Sequence, residues 1–236
     1  MNGLLVRVGA DLSVGGGSWN GPVDSSTGEF VYVPIPESAP VHPGLEKPYG
    51  ELELKLATSG VELPAHLRTR HMHLDPDFEH LTYGDQGERA KQLRDNLRIG
   101  DLIVFYAGLA DRHSSNRLVY ALIGIFVIEQ FSLAVNVVTE DRDINAHTRR
   151  VLTSDAKDLI VRARPKVSGR LKCCLPIGEF RDRAYRVRQD ILNAWGGLSV
   201  TNGYLQRSAR LPRILNPERF LLWLEMQRPV LIQSNN

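Results

Sequence analysis

Cysteine is almost missing from this chain of 236 residues: the only two, Cys173 and Cys174, are neighbours in sequence. Adjacent cysteines do not suit an ordinary structural disulfide or the spaced pairs of a zinc knuckle. A disulfide framework is therefore excluded, and a reducing, cytoplasmic setting is expected. Long apolar runs are missing as well. The longest, Leu118 to Ile128, falls short of the roughly 20 residues of a membrane helix and reads as strand, so no membrane partner is expected. Met1-Asn2-Gly3-Leu4 shows no basic segment leading into an apolar one, so no secretory leader is expected. No Walker, G-x-G-x-x-G, G-x-S-x-G or H-x-E with P-C-x-x-C pattern occurs, and no Cys-His nucleophile pattern. Nothing therefore assigns a cofactor or a familiar catalytic class. Repeats, low-complexity tracts and a clean linker are also lacking, which leaves one domain over 1–236 as the expectation.

What is present begins with charge. From residue 141 onward there are 18 Lys and Arg against 9 Asp and Glu, and before it 11 against 18. Fifteen of those 18 cations are arginines. Arginine-rich charge on one half suits bidentate phosphate contacts, and DNA or a nucleotide is the partner it implies. The competing reading is that the acidic half (1–140) and the basic half (141–236) neutralise each other inside the protein.

Apolar patterning predicts strands at Leu4–Val8, Phe30–Val33, Leu52–Leu56 (half-exposed), Leu102–Tyr106, Arg117–Ile128, Leu133–Thr139, Leu159–Val161 and Arg170–Leu175. Gly124 within the strongest of these suggests a bulge or tight bend. Helices are predicted from Glu88 to Leu97 and from Asn216, an N-cap followed by Pro217, to Leu224. Ile144–Leu152 reads as a helix or turn. The fold class is α+β: a curled, mostly antiparallel sheet or small barrel with flanking helices.

The candidate chemistry is concentrated in His71–Asp85, a polar stretch followed by the predicted helix and a core strand. His73, Asp75 and Asp85, with Glu37 held beyond Pro34-Ile35-Pro36, are the candidate general acids and bases. His71-x-His73-x-Asp75 has the alternation of a metal site, but Pro76 follows and no second histidine–carboxylate pair is near, so no metal is assigned. Turn and capping chemistry also accounts for Asp75-Pro76 and Gly84-Asp85. Asp11 and a glycine-rich loop precede Trp19 and Asn20, an indole beside an amide that suits a base. Tyr49 and Tyr83 are candidate walls, and Asn145 and His147 candidate ligands. Arg170, Arg207 and Arg210 are candidate phosphate contacts. Cys173 and Cys174 lie in a predicted strand and are expected to be inert.

Three stretches taken together carry a resemblance: Phe30–Glu37, then His73–Phe78 with Thr82–Asp85, then Gly100–Leu109. The combination resembles the third family of nucleotide modification associated domains, associated with DNA base hypermodification in bacteria and phages. The similarity extends through Asn145-Ala146-His147 and Ser168–Leu171, where Gly169 interrupts the expected Ser-Arg-Leu. Gly-Asp followed by apolar residues and Phe-Tyr is also loosely similar to the PUA, ASCH and EVE barrels that hold modified bases. The resemblance implies a pathway, with other base-modifying enzymes as partners, but no particular reaction. The residues themselves leave open an enzyme, a non-catalytic reader of modified DNA, and a metal-dependent nuclease or hydrolase using His71, His73 and Asp75.

Overall fold

Two apolar runs form the centre of the molecule, and both are longer than their sequence signals. The computed structural model describes residues 1–114, 117–205 and 208–236. Its first half contains β1 (Gly3–Arg7), β2 (Pro22–Val23), β3 (Ile35–Pro36), α1 (Glu53–Thr58), β4 (Met72–His73), β5 (Thr82–Asp85), α2 (Gly87–Asn96) and β6 (Leu102–Asp111). The second contains β7 (Leu118–Leu133), α3 (Ala146–Arg149), β8 (Leu159–Ala163), β9 (Gly169–Pro176), β10 (Gly178–Arg181), β11 (Ala184–Val187), α4 (Gln189–Trp195), α5 (Pro217–Met226) and β12 (Leu231–Ile232). Among the described residues, no helix is long and apolar enough to cross a membrane.

The main sheet has the order β1-β6-β7-β8-β5, with β2 beside β6, β9 beside β7 and β12 beside β9. β1 and β2 run parallel to β6, and the other pairs are antiparallel. Both faces are covered, which is why β1 and β6 read as continuous apolar runs instead of alternating ones. Leu4, Val6, Ile103 and Phe105 join the core that α2 and Leu74–Tyr83 close. Leu5, Leu102, Val104 and Tyr106 join the opposite core, filled by Trp195 of α4 and Phe220 of α5. A third cluster, with Tyr49, Leu56 and Leu67, lies beneath the segment between β2 and β4.

β7 bends the sheet. Its 16 residues pair with β6, with β9 near Ala121–Ile125 and with β8 over Ile128–Leu133. Register shifts on both sides of Ile123 confirm a bulge beside Gly124. At Gly124 a Cβ would lie 2.4 Å from the Phe78 ring, so the bend also depends on a missing side chain. The result is an α+β fold on a curled sheet that, among the described residues, stays open and does not close into a barrel.

Three predicted strands differ. Phe30–Val33 is buried but makes no regular strand: Phe30 bridges Val23, and the Val31 N–H donates to the Pro22 carbonyl of β2. The Tyr32 N–H goes to the Asn236 side chain, the Val33 carbonyl accepts from Ala10, and Pro34 has no N–H to carry a ladder on. Leu52–Leu56 is the join between a 3-10 turn and α1, where Leu52 and Leu56 are buried and Leu54 is 81% exposed. Leu133–Thr139 contributes only Leu133, the last residue of β7, before 3-10 turns begin.

Candidate functional site

Where β3 meets β4, Ile35 pairs with His73, and Glu37 follows as the backbone leaves the ladder. The Glu37 N–H donates to the His71 carbonyl at 2.9 Å, which turns its side chain toward His73. Glu37 Oε2 lies 2.6 Å from His73 Nδ1, while Arg150 grips Oε1 through Nε at 3.0 Å and Nη2 at 2.7 Å. Arg150 Nη2 is also 3.1 Å from His73 Nδ1, but a guanidinium has no lone pair to accept a proton. The Nδ1 proton therefore belongs to the bond with Glu37. Burial favours a neutral Glu37, yet the bonds from His73 and Arg150 outweigh it and hold the carboxyl well below its ordinary range. Burial lowers the His73 pKa to about 4, against the opposing pull of Glu37, so the ring is neutral at pH 7.

Asp75 is held from two other segments. Its Oδ1 accepts from the Gly84 backbone N–H at 2.7 Å and from the Asn145 amide at 2.8 Å. Asn145 also caps α3 in a reciprocal capping box with Thr148. That cap places His147 against β5: a Cβ on Gly84 would meet the His147 ring at 2.4 Å. His147 Nδ1 is 2.5 Å from Asp158 Oδ2, and its Nε2 is 4.0 Å from Asp75 Oδ2. The two imidazoles meet edge to face, 5.0 Å between centroids. Burial, the dominant influence, raises the Asp75 pKa to about 6, while the bond from His147 keeps Asp158 below the usual carboxylate range.

A third group forms the rim. The Tyr83 hydroxyl bonds Asp85, and Arg89 reaches both, with Nη2 2.8 Å from the hydroxyl and Nε 2.9 Å from Asp85 Oδ2. Burial lifts the Tyr83 pKa well above that of a free phenol, so it stays protonated. Arg7, His73, Asp75, Tyr83, Asp85, Arg89, His147 and Arg150 face one cleft of about 230 Å³. That volume is below the roughly 300–1,000 Å³ of drug-sized sites and suits one small planar group.

Of the residues singled out in sequence, His73, Asp75, Tyr83, Asp85 and His147 line this cleft, with Glu37 and Asn145 directly behind it. Others do not. Asn20 is buried and donates to the Gly108 carbonyl, and Trp19 packs against the third core cluster. Tyr49 is fully buried with its hydroxyl on the Pro34 carbonyl. Asp11 closes its own loop on Ser13 and pairs with Arg7 at 3.5 Å. His71 lines a separate cleft with Glu46 and Arg70, because β4 is only two residues long and alternation does not reach back to it. Arg170 is buried on the Phe30 ring and donates to the Ser234 carbonyl. Arg210 is exposed, and Arg207 lies outside the described residues.

Sequence reasoning missed Arg7, Arg89, Arg150 and Asp158. Arg89 had a signal, since it stands four residues after Asp85 across a helix start. Arg150 and Asp158 had none, because their partners are fixed only by long-range packing. The family model described as nucleotide modification associated domain 3 matches residues 2–218. No curated protein and no solved structure matches the chain.

Proposed function

Because this chain belongs to the nucleotide modification associated domain 3 family, we propose that its cleft accepts a DNA nucleobase, as a nucleotide or an extruded base, and acts on it chemically. The family match supports a part in nucleotide modification, and the residues in the cleft suggest what that part is. The observation that carries this reading is the convergence of His73, Asp75, Asp85 and His147 on one small cleft from three separate segments.

Tyr83, Asp85 and Arg89 make a rigid polar edge suited to the hydrogen-bonding face of a base. Arg7 and Arg89 add fixed positive charge for a phosphate. His73, Asp75 and His147 are the reacting end, and Glu37 and Asp158 act behind the two rings as positioning residues. A pocket that only reads a base needs walls and hydrogen bonds. Two imidazoles, each backed by a buried carboxylate, go beyond that need and favour an enzyme.

Equilibrium binding of the four deoxynucleoside 5′-monophosphates tests the reading. The wild type should prefer one base, and Arg89→Ala, like Asp85→Asn, should weaken binding at least about 10-fold, the scale of one lost charged hydrogen bond. Failure of every nucleotide to bind, or indifference to both substitutions, would remove the pocket assignment.

A further inference from the structure

We propose that His73, Asp75 and His147 hold one divalent transition-metal ion at the floor of the cleft. The inference rests on the reading of that cleft as the reacting site. A nitrogen from each ring and a carboxylate oxygen of Asp75 lie within 4.8 Å of one another. Bonds of about 2.0–2.2 Å to zinc would draw them together by side-chain shifts on the order of 1 Å.

The stronger argument lies in what stands behind the ligands. Each ring commits Nδ1 to a buried carboxylate, His73 to Glu37 and His147 to Asp158. That arrangement fixes the tautomer and leaves the Nε2 lone pair free, as outer-shell carboxylates do for metal-bound histidines. It occurs twice, built from unrelated segments. Asp75 is prepared in the same way: Gly84 and Asn145 occupy Oδ1, and Oδ2 is left toward His147. At 4.0 Å the Asp75 Oδ2 to His147 Nε2 gap is too long for a hydrogen bond; two ligands of a tetrahedral ion stand about 3.3 Å apart, so a shared ion would draw this pair together by less than about 1 Å.

A network serving only stability would close that gap. Two nitrogens and one oxygen suit zinc, iron(II) or cobalt(II) and disfavour magnesium and calcium, which take oxygen ligands. Three protein ligands also leave coordination positions open to the cleft, where a water or a substrate atom would bind.

The full chain, stripped with chelator, is titrated with Co²⁺ by visible absorption and with Zn²⁺ by calorimetry. One equivalent should bind. His147→Ala and Asp75→Asn should each weaken it 100-fold or more, and Asp158→Asn, which keeps all three ligands, about 10–100-fold. His71→Ala should bind as the wild type does. Far-UV circular dichroism identifies variants that do not fold, and Asp158→Asn carries the test if a ligand variant fails. No stoichiometric uptake, or unchanged affinity in folded Asp75→Asn and Asp158→Asn, overturns the site. Deoxynucleotide binding, measured on the stripped and on the metal-titrated protein, separates the two ideas. Nucleotide binding without metal uptake refutes only the metal site; metal uptake without nucleotide binding supports it and refutes the base pocket.

Discussion

Gly84 shows how much of the site depends on one missing side chain. Its N–H holds Asp75, and the space a Cβ would need is taken by the His147 ring and the Asn145 amide. Gly84→Ala should leave the fold intact at a cost of roughly 1–3 kcal/mol for overpacking, while displacing His147. Loss of cleft chemistry with a modest fall in melting temperature is the expected outcome. Full activity in folded Gly84→Ala would show that His147 does not need its present position. The sequence marked Gly84 only as a turn residue, since nothing local reveals that α3 packs on it.

Cys174 gives a residue-scale test with a pH sign. Burial pushes its thiol up to about 12, against about 8.5 in an unfolded chain. The native state therefore binds the proton more tightly. The stability this contributes is fully present below about pH 8.5 and is lost as pH rises from there through the folded value. Melting curves from pH 8 to 11 should show a steeper alkaline decline for the wild type than for Cys174→Ala. A thiol reagent at pH 8 should spare Cys174 until the protein unfolds.

At the scale of elements, legibility followed burial. β1, β6, β8, β9, α2 and α5 were readable because packing on one or two faces writes a period into the sequence. Leu52–Leu56 misled because Leu-x-Leu-x-Leu satisfies a strand's alternation, whereas the structure uses only Leu52 and Leu56, one helical turn apart. The two readings predict different mutants. Leu56→Ala should cost about 2–5 kcal/mol, and Leu54→Glu should cost less than about 0.5 kcal/mol. Comparable losses at both positions in chemical denaturation would restore the strand. The β10–β11 hairpin was missed because Asp182 and Arg183 take positive φ without a glycine to announce the turn.

At the scale of the whole molecule, part of the charge asymmetry has an internal use. Arg149 pairs with Asp77 and Arg150 with Glu37 across the two halves, whereas the pairs of Arg149 with Asp143 and of His147 with Asp158 stay within the basic half. Of the arginines proposed for phosphate, Arg170 is buried and Arg210 remains exposed. More than half of the candidate site could be read from sequence: Glu37, His73, Asp75, Tyr83, Asp85, Asn145 and His147 were marked there. Their pairing could not be read, because 36 residues separate Glu37 from His73 and 70 separate Asp75 from Asn145. Only the curled sheet brings those segments to one edge.

The most direct measurement is mass spectrometry of nucleosides from the DNA of cells carrying the wild-type protein, Asp75→Asn, or neither, in a genome otherwise unchanged. A nucleoside that is gained or lost with the wild type alone, and restored to the empty background by Asp75→Asn, is the predicted result. Identical nucleoside profiles in all three, or a change that Asp75→Asn produces as fully as the wild type, would contradict a base-modifying role for this cleft.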